Sequence, residues 1–364
     1  MRVPFLDLAA AHAELRDGLD AAWDRVCTRS HFIAGPELEV FEQGLAAFCG
    51  TRYAVGVGNG LDALVLLLRA AGIGPGDEVL VPSHTFVATW FAVSIVGAIP
   101  VPVEVDRRTF NMDPGLIEQA ITGRTRAIIP VHLYGQLAEM ERIAAVADTH
   151  GLLVFEDAAQ AIGAQAHQRR AAYHGHAAAI SFYPGKNLGA LGDGGAIVTN
   201  DSALSEQVRM LRNYGSREKY HHCVVGVNSR LDELQAAFLA CKLTRLEEWN
   251  LRRRTAAQRY IDGLRGLPLA LPEAPNGHDP VWHLFVVRHS RRDWLQVKLA
   301  GAGVETIIHY PVEPARQAAY GGQVRSPTPI AREMADSVLS LPIGPHLSTS
   351  QQDHVIEALH SILR

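Results

Sequence analysis

The sequence predicts an α/β protein with a mixed, mostly parallel sheet of seven strands and a smaller α+β region at the C-terminal end. Two observations carry this prediction. In the first half of the chain, short β-rich runs alternate with helix-length segments, which is typical of crossover units and of a parallel sheet covered on both faces. Near residue 232 this alternation stops and a long helical stretch begins.

The large N-terminal part begins with helices and continues as alternating strands and helices. Apolar residues recur at helical spacing from Leu15 to Val26 and from Leu38 to Phe48, which predicts two amphipathic helices. Seven strands are then predicted at residues 53–57, 78–81, 99–104, 127–131, 152–156, 178–182 and 196–199. Helices are predicted between them, including residues 61–71, 86–96 and 139–150.

The C-terminal part has a different pattern. Residues 231–264 are predicted to be nearly all helical, with the arginines at 252–254 on a solvated face. A loop rich in proline and glycine follows, and then a strand at 282–287, a helix at 292–300 and a strand at 304–308. These patterns predict two domains, residues 1–240 and 241–364.

Composition excludes several classes of protein. Apolar types make up 48% of the 364 residues and charged types 20%, which is ordinary for a globular protein and excludes a disordered or fibrous chain. The net charge of −4 argues against nucleic acid as the main partner. Four dispersed cysteines without a CxxC pair argue against a zinc ribbon or a disulfide framework, so we expect no metal and a reducing compartment.

The hydropathy pattern bears on location. No apolar run reaches about 18 residues, so no transmembrane helix and no membrane partner are expected. The first residues lack the apolar stretch of a secretory signal. A cytoplasmic location is therefore expected.

A glycine-rich turn at residues 57–64 follows a predicted strand and opens a predicted helix. Gly58 and Gly60 would let the backbone approach a ligand, and the helix start offers unpaired N–H groups to an anion. Turns of this kind are also common without any ligand. The segment therefore indicates a phosphate site but does not establish one.

Two adjacent carboxylates, Glu156 and Asp157, end the predicted strand at 152–156. Ligands of parallel sheets bind at the carboxyl ends of the strands, so one of the two is expected to face a site. Because side chains alternate along a strand, Glu156 is expected to face the opposite side from Asp157. A helix N-cap at Asp157 is the alternative, and the local sequence leaves both interpretations open.

Lys186 lies in a glycine-dense segment after the predicted strand at 178–182. A lysine near apolar groups loses its charge readily, which suits Schiff-base chemistry, although an exposed loop lysine is the ordinary alternative. A helix start, an acid and a lysine, in this order along the chain, match the needs of pyridoxal phosphate. Walker-type and nucleophile-elbow motifs are absent from the sequence.

The chain resembles the DegT/DnrJ/EryC1/StrS sugar-nucleotide aminotransferases, a branch of the aspartate-aminotransferase fold (fold type I of pyridoxal-phosphate enzymes). Matching segments run in order through nearly the whole chain: VPFLD at 3–7, FIAGPE at 32–37, VHLYGQ at 131–136, ED at 156–157, KNLG at 186–189, GVNSRLDELQAA at 226–237 and HYP at 309–311. A finer likeness to enzymes that aminate C3 of a dTDP-3-oxo-6-deoxyhexose rests on NGLDAL at 59–64, SFYP at 181–184 and NSRLD at 228–232.

The resemblance implies roles for individual residues. Lys186 would bind pyridoxal 5′-phosphate covalently and transfer the proton, and Asp157 would pair with the ring nitrogen. The remaining cofactor contacts would come from Phe86 on the ring, Gln160 near the phenolic oxygen, Gly60, Leu61 and Ser181 on the phosphate, and Asn228 of the neighbouring subunit on the same phosphate. Many members carry threonine at the position of Leu61, so only its backbone N–H is expected to contribute here.

The resemblance also implies the substrates and the assembly. The substrates would be a nucleotide-linked keto sugar and L-glutamate, and the enzyme would be a homodimer with shared active sites. The sugar would contact Tyr183, Lys219, His309 and Tyr310, although Lys219 could be a mobile surface residue and His309 with Tyr310 a packing pair. The alternatives are C4 amination of a UDP- or dTDP-4-keto sugar, or a non-catalytic regulatory protein on the same fold.

Overall fold

The computed structural model describes residues 1–321 and 327–364. Twelve α-helices lie in this described part: α1 Leu8–Glu14, α2 Arg16–Arg29, α3 Pro36–Cys49, α4 Gly60–Ala70, α5 Ala88–Ile95, α6 Met140–His150, α7 Ser202–Leu211, α8 Glu233–Leu243, α9 Leu246–Leu264, α10 Arg292–Gly301, α11 Pro329–Ser337 and α12 Thr349–Leu363. Among the described residues, five short 3-10 helices connect longer elements: Pro114–Leu116, Glu118–Ala120, Leu133–Gly135, Pro314–Arg316 and Ala318–Tyr320.

Strands of the described residues form four sheets. They are β1 Tyr53–Val57, β2 Glu78–Pro82, β3 Ile99–Val103, β4 Thr125–Ile128, β5 Leu153–Asp157, β6 Gln165–Ala166, β7 Arg169–Arg170, β8 Ala177–Ser181, β9 Gly195–Thr199, β10 Ser216–Glu218, β11 His221–His222, β12 His278–Asp279, β13 Phe285–Arg288 and β14 Val338–Leu341. The small sheets are β12-β6-β7, the hairpin β10-β11 and the pair β13-β14.

The main sheet has seven strands in the order β1-β9-β8-β5-β4-β2-β3. Strand β9 runs antiparallel to both of its neighbours, β1 and β8, and the other pairs are parallel. Each of the seven predicted strands has a counterpart in this sheet, which confirms the predicted mixed, mostly parallel arrangement. The carboxyl ends of β1, β8, β5, β4 and β2 therefore share one edge.

Alternate side chains of the sheet pack into apolar clusters on its two faces. On one face, Ala178 and Ile180 of β8 pack in a cluster with α3 and α8, where Phe41 is fully buried. On the other face, Ala177 and Ala179 pack in a cluster with α4, α5 and α7. Burial on both faces explains why the strands read as nearly continuous apolar runs.

The C-terminal part has its own apolar cluster, formed by α9, α10 and α12 against β13 and β14. Tyr260 and Phe285 are fully buried there, with ring centroids 5.1 Å apart. Val3, from the first residues of the chain, joins the same cluster and pairs with Val304. The N-terminal segment thus packs against the C-terminal part.

The structure corrects several sequence expectations in the C-terminal half. The predicted helix at 231–264 is two helices, because the chain leaves regular helix between Leu243 and Leu246. The predicted strand at 282–287 begins only at Phe285, since Trp282 has a left-handed backbone conformation with φ of 47°. The predicted strand at 304–308 is not regular and contains only isolated bridges.

The arginines at 252–254 do not form the expected solvated face. Arg253 is buried, and its guanidinium donates to the carbonyls of Trp282, His283 and Ile343. Its neighbours pair with acids, Arg252 with Glu14 and Glu248 and Arg254 with Asp279. All three carbonyls accept from one nitrogen of Arg253, Nη1, whereas its buried Nε has no hydrogen-bond partner among the described residues.

Candidate active site

The start of α4 and the end of β8 meet at the shared edge of the sheet. The Asn59 side chain caps α4 by accepting the N–H of Asp62 at 2.8 Å. The N–H groups of Gly60 and Leu61 have no hydrogen-bond partner within residues 1–321 and 327–364. A Cβ on Gly60 would lie 2.7 Å from the Cβ of Ser181, so only glycine fits at this junction. Unpaired N–H groups beside a serine hydroxyl suit an anion such as phosphate.

Asp157 ends the neighbouring strand, β5, and its carboxylate is buried. One oxygen accepts the hydroxyl of Thr89 on α5 at 2.9 Å, and the other accepts the backbone N–H of Ala159 at 3.2 Å. Burial raises the pKa of Asp157, and the nearby Lys186 opposes that rise. A buried carboxylate whose partners are all neutral is able to bind a cationic group.

Glu156 faces the opposite side of β5, and both of its carboxylate oxygens have hydrogen-bond partners. Its carboxylate contacts His132 Nε2 at 2.7 Å and accepts the backbone N–H groups of Ala172, His174 and Gly175 at 2.6 to 2.9 Å. These bonds outweigh burial and lower the pKa of Glu156. Glu156 therefore stabilises the loop at 172–175, and Asp157 is the carboxylate left for the site.

Lys186 follows β8 and is half-buried. Burial of its ammonium group lowers the pKa of Lys186 to about 8, against a smaller opposing effect of Asp157. The charge of Lys186 in turn lowers the pKa of His283 and of His309, whose own burial is the larger cause. The next residue, Asn187, donates to the carbonyl of Val281 at 3.1 Å, so the segment that carries Lys186 lies against the C-terminal part.

Phe86, Gln160 and Tyr310 form one wall of the site. Phe86 is 51% exposed, and its ring centroid lies 5.4 Å from that of Tyr310. The amide of Gln160 donates to the Tyr310 hydroxyl at 3.0 Å, while its carbonyl oxygen accepts the N–H of Tyr134 at 2.7 Å. An exposed aromatic face over a fixed polar network is a suitable platform for a planar ring.

His309 is held from two sides. Its Nδ1 lies 2.8 Å from the hydroxyl of Ser340 on β14, and its carbonyl oxygen accepts the hydroxyl of Tyr134. Burial lowers the pKa of His309 to about 4, so its ring is neutral at pH 7. The His-Tyr pair of the C-terminal part is thereby fixed next to Gln160 of the N-terminal part.

Three predicted residues lie further out. Tyr183 is 61% exposed on the segment between β8 and Lys186. Lys219 is exposed on the β10-β11 hairpin, where its ammonium lies 5.2 Å from the ring centre of Tyr220. Asn228 lines an open cavity of about 710 Å³ on the outer side of α4, together with Arg69. Within one chain, Lys219 and Asn228 have no side-chain hydrogen bond to the other predicted site residues in the described part.

Sequence reasoning missed several residues that shape the site. Thr89 holds Asp157, and His283 contacts Oδ1 of Asn187, the residue after Lys186, at 3.2 Å. His84, buried two residues before Phe86, contacts the Tyr134 hydroxyl at 2.9 Å. Each of these contacts joins distant parts of the chain. The one local indication was the position of His84 in the same short segment as Phe86.

The geometry brings an anion site, a carboxylate, an amine and an exposed aromatic ring to one edge of the sheet. This is the set of groups that pyridoxal phosphate requires. Among the described residues, no group of three or more His, Cys, Asp and Glu side chains is arranged to hold a metal ion. None of the helices described here is long and apolar enough to cross a membrane.

Comparison with known sequences also indicates an aminotransferase. The model of the DegT/DnrJ/EryC1/StrS aminotransferase family matches residues 15–360. The erythromycin biosynthesis sensory transduction protein EryC1 of Saccharopolyspora erythraea is 55% identical over 362 residues, 99% of either chain. The dTDP-3-amino-3,4,6-trideoxy-alpha-D-glucose transaminase of Streptomyces venezuelae is 55% identical over 361 residues, 98% of this chain and 95% of the relative.

Solved structures share the whole fold. A crystal structure of S. venezuelae DesV in complex with a ketimine intermediate has a TM-score of 0.98 at 54% identity, covering 100% of this chain and 99% of the other. NtdA from Bacillus subtilis with bound cofactor PMP has a TM-score of 0.93 at 32% identity, covering 100% of this chain and 85% of the other. These likenesses extend over both the sheet and the C-terminal part.

Proposed function

The chain belongs to the DegT/DnrJ/EryC1/StrS aminotransferase family, and we propose that it is a pyridoxal-phosphate-dependent transaminase of sugar nucleotides. In this proposal it moves an amino group from L-glutamate to C3 of a dTDP-linked 3-keto-6-deoxyhexose. The observation that carries the proposal is the meeting of Lys186, Asp157 and the Gly60–Ser181 junction at one edge of the sheet. The C3 assignment is supported by the S. venezuelae relative, which is a dTDP-3-amino-3,4,6-trideoxy-alpha-D-glucose transaminase.

The residues present fit the proposed cofactor. Gly60 and Leu61 would bind its phosphate through their N–H groups, with the hydroxyl of Ser181 and the partner subunit's Asn228. Phe86 would cover the ring and Gln160 would lie near its phenolic oxygen. PMP, the cofactor of NtdA, is the aminated form of pyridoxal phosphate, which supports this choice of cofactor.

The chemistry divides between the cofactor and the chain. Bound pyridoxal phosphate supplies an electron-withdrawing ring that stabilises negative charge on the adjacent carbon. Asp157 would hold the ring nitrogen and keep it protonated, because a buried carboxylate favours a cation opposite it. Lys186, with a pKa of about 8, is partly neutral near pH 7.5, so its Nζ can take a proton from the donor carbon and return it.

The sugar would lie between the two parts of the chain. His309 and Tyr310 are fixed beside Gln160, so they could hold a hexose without first becoming ordered. Tyr183, exposed after β8, would contact the sugar from that side. Lys219 would contact the hexose or the diphosphate from its exposed hairpin.

The test is to load the purified protein with pyridoxal phosphate and supply a dTDP-3-keto-6-deoxyhexose with ¹⁵N-labelled glutamate. The expected product carries ¹⁵N at C3, observed by NMR, and the Lys186→Ala variant forms none. Nitrogen at C4 of a UDP- or dTDP-4-keto sugar would overturn the C3 assignment and keep the transaminase. A protein that shows no cofactor absorbance and no turnover would favour the regulatory role that the name of the S. erythraea relative suggests.

A substitution on the sugar side separates the two substrates. Tyr310→Phe removes the hydroxyl that accepts the Gln160 amide, and the aromatic ring remains beside Phe86. We expect the KM for the sugar to rise about 10-fold, which corresponds to the loss of one hydrogen bond. The half-reaction with glutamate is expected to keep its rate. An unchanged KM for the sugar would remove Tyr310 from the sugar site.

A further inference from the structure

Lysine is rare in this chain, and one lysine outside the described chemistry is buried. Only four lysines occur among 34 basic residues: Lys186, Lys219, Lys242 and Lys298. Lys242, near the end of α8, is 4% exposed. No carboxylate within residues 1–321 and 327–364 forms an ion pair with it. A buried ammonium without a counter-charge is costly, so its remaining partners must account for its presence.

Those partners are two neutral acceptors. The Lys242 ammonium donates to the carbonyl oxygen of Gly189 at 2.7 Å and lies 3.3 Å from His12 Nε2 on α1. Burial and the charge of Lys242 both lower the pKa of His12, which keeps this imidazole neutral and able to accept. Burial lowers the pKa of Lys242 itself to about 8.

Gly189 belongs to the loop that carries Lys186. A Cβ at Gly189 would collide with the carbonyl group of Pro184, so the loop folds tightly on itself between these two residues. Lys186 lies inside this fold, with its N–H bonded to the carbonyl of Tyr183 at 2.8 Å. The Gly189 carbonyl that Lys242 holds is therefore three residues from the reactive amine, within the same turn.

Residues on both sides of Gly189 are also held, by side chains of α8 and α9. Asn187 donates to Asn250 Oδ1 on α9 at 2.9 Å, and the N–H of Leu191 donates to Gln235 Oε1 on α8 at 2.7 Å. Asn187 and Leu191 flank Gly189, so the loop has three successive anchors. Lys242 supplies the only charged one in the described structure, and a hydrogen bond from a charged group is stronger than one between neutral groups.

We propose that Lys242 is a positioning residue of the active site, whose ammonium holds the Gly189 carbonyl and thereby fixes the loop that presents Lys186. This inference rests on the proposed function, because it assigns a task to the loop only if Lys186 binds the cofactor. It predicts that removing the ammonium weakens cofactor binding through Lys186 and not through the phosphate site.

The test measures the Kd of pyridoxal phosphate by absorbance titration for Lys242→Met, with Lys298→Met, an exposed lysine on α10, as the matched control. Each substitution is made in the wild-type chain and in the Lys186→Ala chain. We expect Lys242→Met to raise the Kd about 10-fold when Lys186 is present, the scale of one lost charge-assisted bond. In the Lys186→Ala chain we expect less than about a 2-fold change, because the coupled partner is gone.

Three outcomes would overturn the proposal. The first is an unchanged Kd for Lys242→Met. The second is an equal rise in Kd with and without Lys186, which would mean general damage to the site. The third is a rise in Kd for Lys298→Met equal to that for Lys242→Met. Failure of the proposed function gives a different result, since the wild-type chain would then bind no pyridoxal phosphate. If Lys242→Met does not fold, Lys242→Leu, which also has no donor, takes its place with the same criteria.

A second measurement needs no cofactor. Hydrogen–deuterium exchange of residues 185–191 in the cofactor-free protein reports how firmly the loop is held. We expect about 10-fold faster exchange in Lys242→Met and unchanged exchange in Lys298→Met. Equal protection of the loop in all three proteins would show that Lys242 does not hold it, whatever the fate of the proposed function.

Discussion

Replacing Asp157 with Asn tests the centre of the proposed chemistry, because two properties of the protein should change in opposite directions. Asn keeps the shape of the side chain and removes the charge. Its carbonyl oxygen can still accept the N–H of Ala159, and its amide can donate to Thr89, whose hydroxyl can then donate to Thr85 at 3.1 Å. The local network is therefore preserved.

The size of the catalytic effect follows from what is lost. A buried carboxylate opposite a protonated ring forms a charge-assisted bond, and breaking a buried ion pair costs about 3 kcal/mol or more. Asn cannot keep the ring nitrogen protonated, so this loss falls on the step that develops negative charge. A rise of about 2.7 kcal/mol in the barrier is a loss of about 100-fold in kcat, which is the minimum that we expect.

The effect on stability has the other sign. Burial raises the pKa of Asp157 in the cofactor-free protein, so the folded state binds this proton more tightly than the unfolded state. The proton on Asp157 therefore adds to the free energy of unfolding at a pH below the pKa of this group in the unfolded chain. This contribution is lost as the pH rises through the pKa of Asp157 in the folded protein. At pH 7 the carboxylate thus destabilises the cofactor-free fold, and Asp157→Asn should raise its Tm. This gain should vanish at a pH below about 4.

The assays are steady-state kinetics on the cofactor-loaded protein and thermal unfolding of the cofactor-free protein at pH 7 and at low pH. Asp148→Asn, the same change at an exposed position of α6, is the control and should leave both properties unchanged. An Asp157→Asn variant with near-normal turnover, or with a lower Tm at pH 7, would refute the reasoning.

Two further substitutions test the phosphate site and the shared dimer. Gly60→Ala places a Cβ 2.7 Å from the Cβ of Ser181, so it should weaken the binding of pyridoxal phosphate about 10-fold, measured by titration. Gly123→Ala is the control and should leave binding unchanged, because no atom lies within 4 Å of its added carbon. Mixing inactive Lys186→Ala chains with inactive Asn228→Ala chains should restore part of the activity in hybrid dimers; verified hybrids without activity would contradict shared sites.

The sequence was sufficient to predict the main sheet and the order of its site segments. Its strands are five-residue or four-residue apolar runs bounded by glycine, proline or polar residues, and helix-length segments separate most of them. The strand β14 was missed, because four residues directly after a helix give no periodicity of their own. Strand β13 is regular only where β14 pairs with it, so its predicted start was also wrong.

The contacts that hold the site could not be predicted, because each depends on tertiary structure. Thr89 lies 68 positions from Asp157, and Lys242 lies 53 from Gly189. Nothing in the local sequence distinguishes Lys242 from a surface lysine or Arg253 from a solvated arginine. Their burial follows from acceptors that distant parts of the chain bring to them.

The pair of carboxylates at the end of β5 has a consequence for how the sheet assembles. If β5 paired with its neighbouring strands one residue out of register, Glu156 would face Thr89. The shorter Asp157 would then face His132 and the loop at 172–175. The misplaced acids would then be buried without their matched donors, at a cost of several kcal/mol. Two adjacent acids of different length, each with its own set of partners, thus favour the native register of β5 over a one-residue slip.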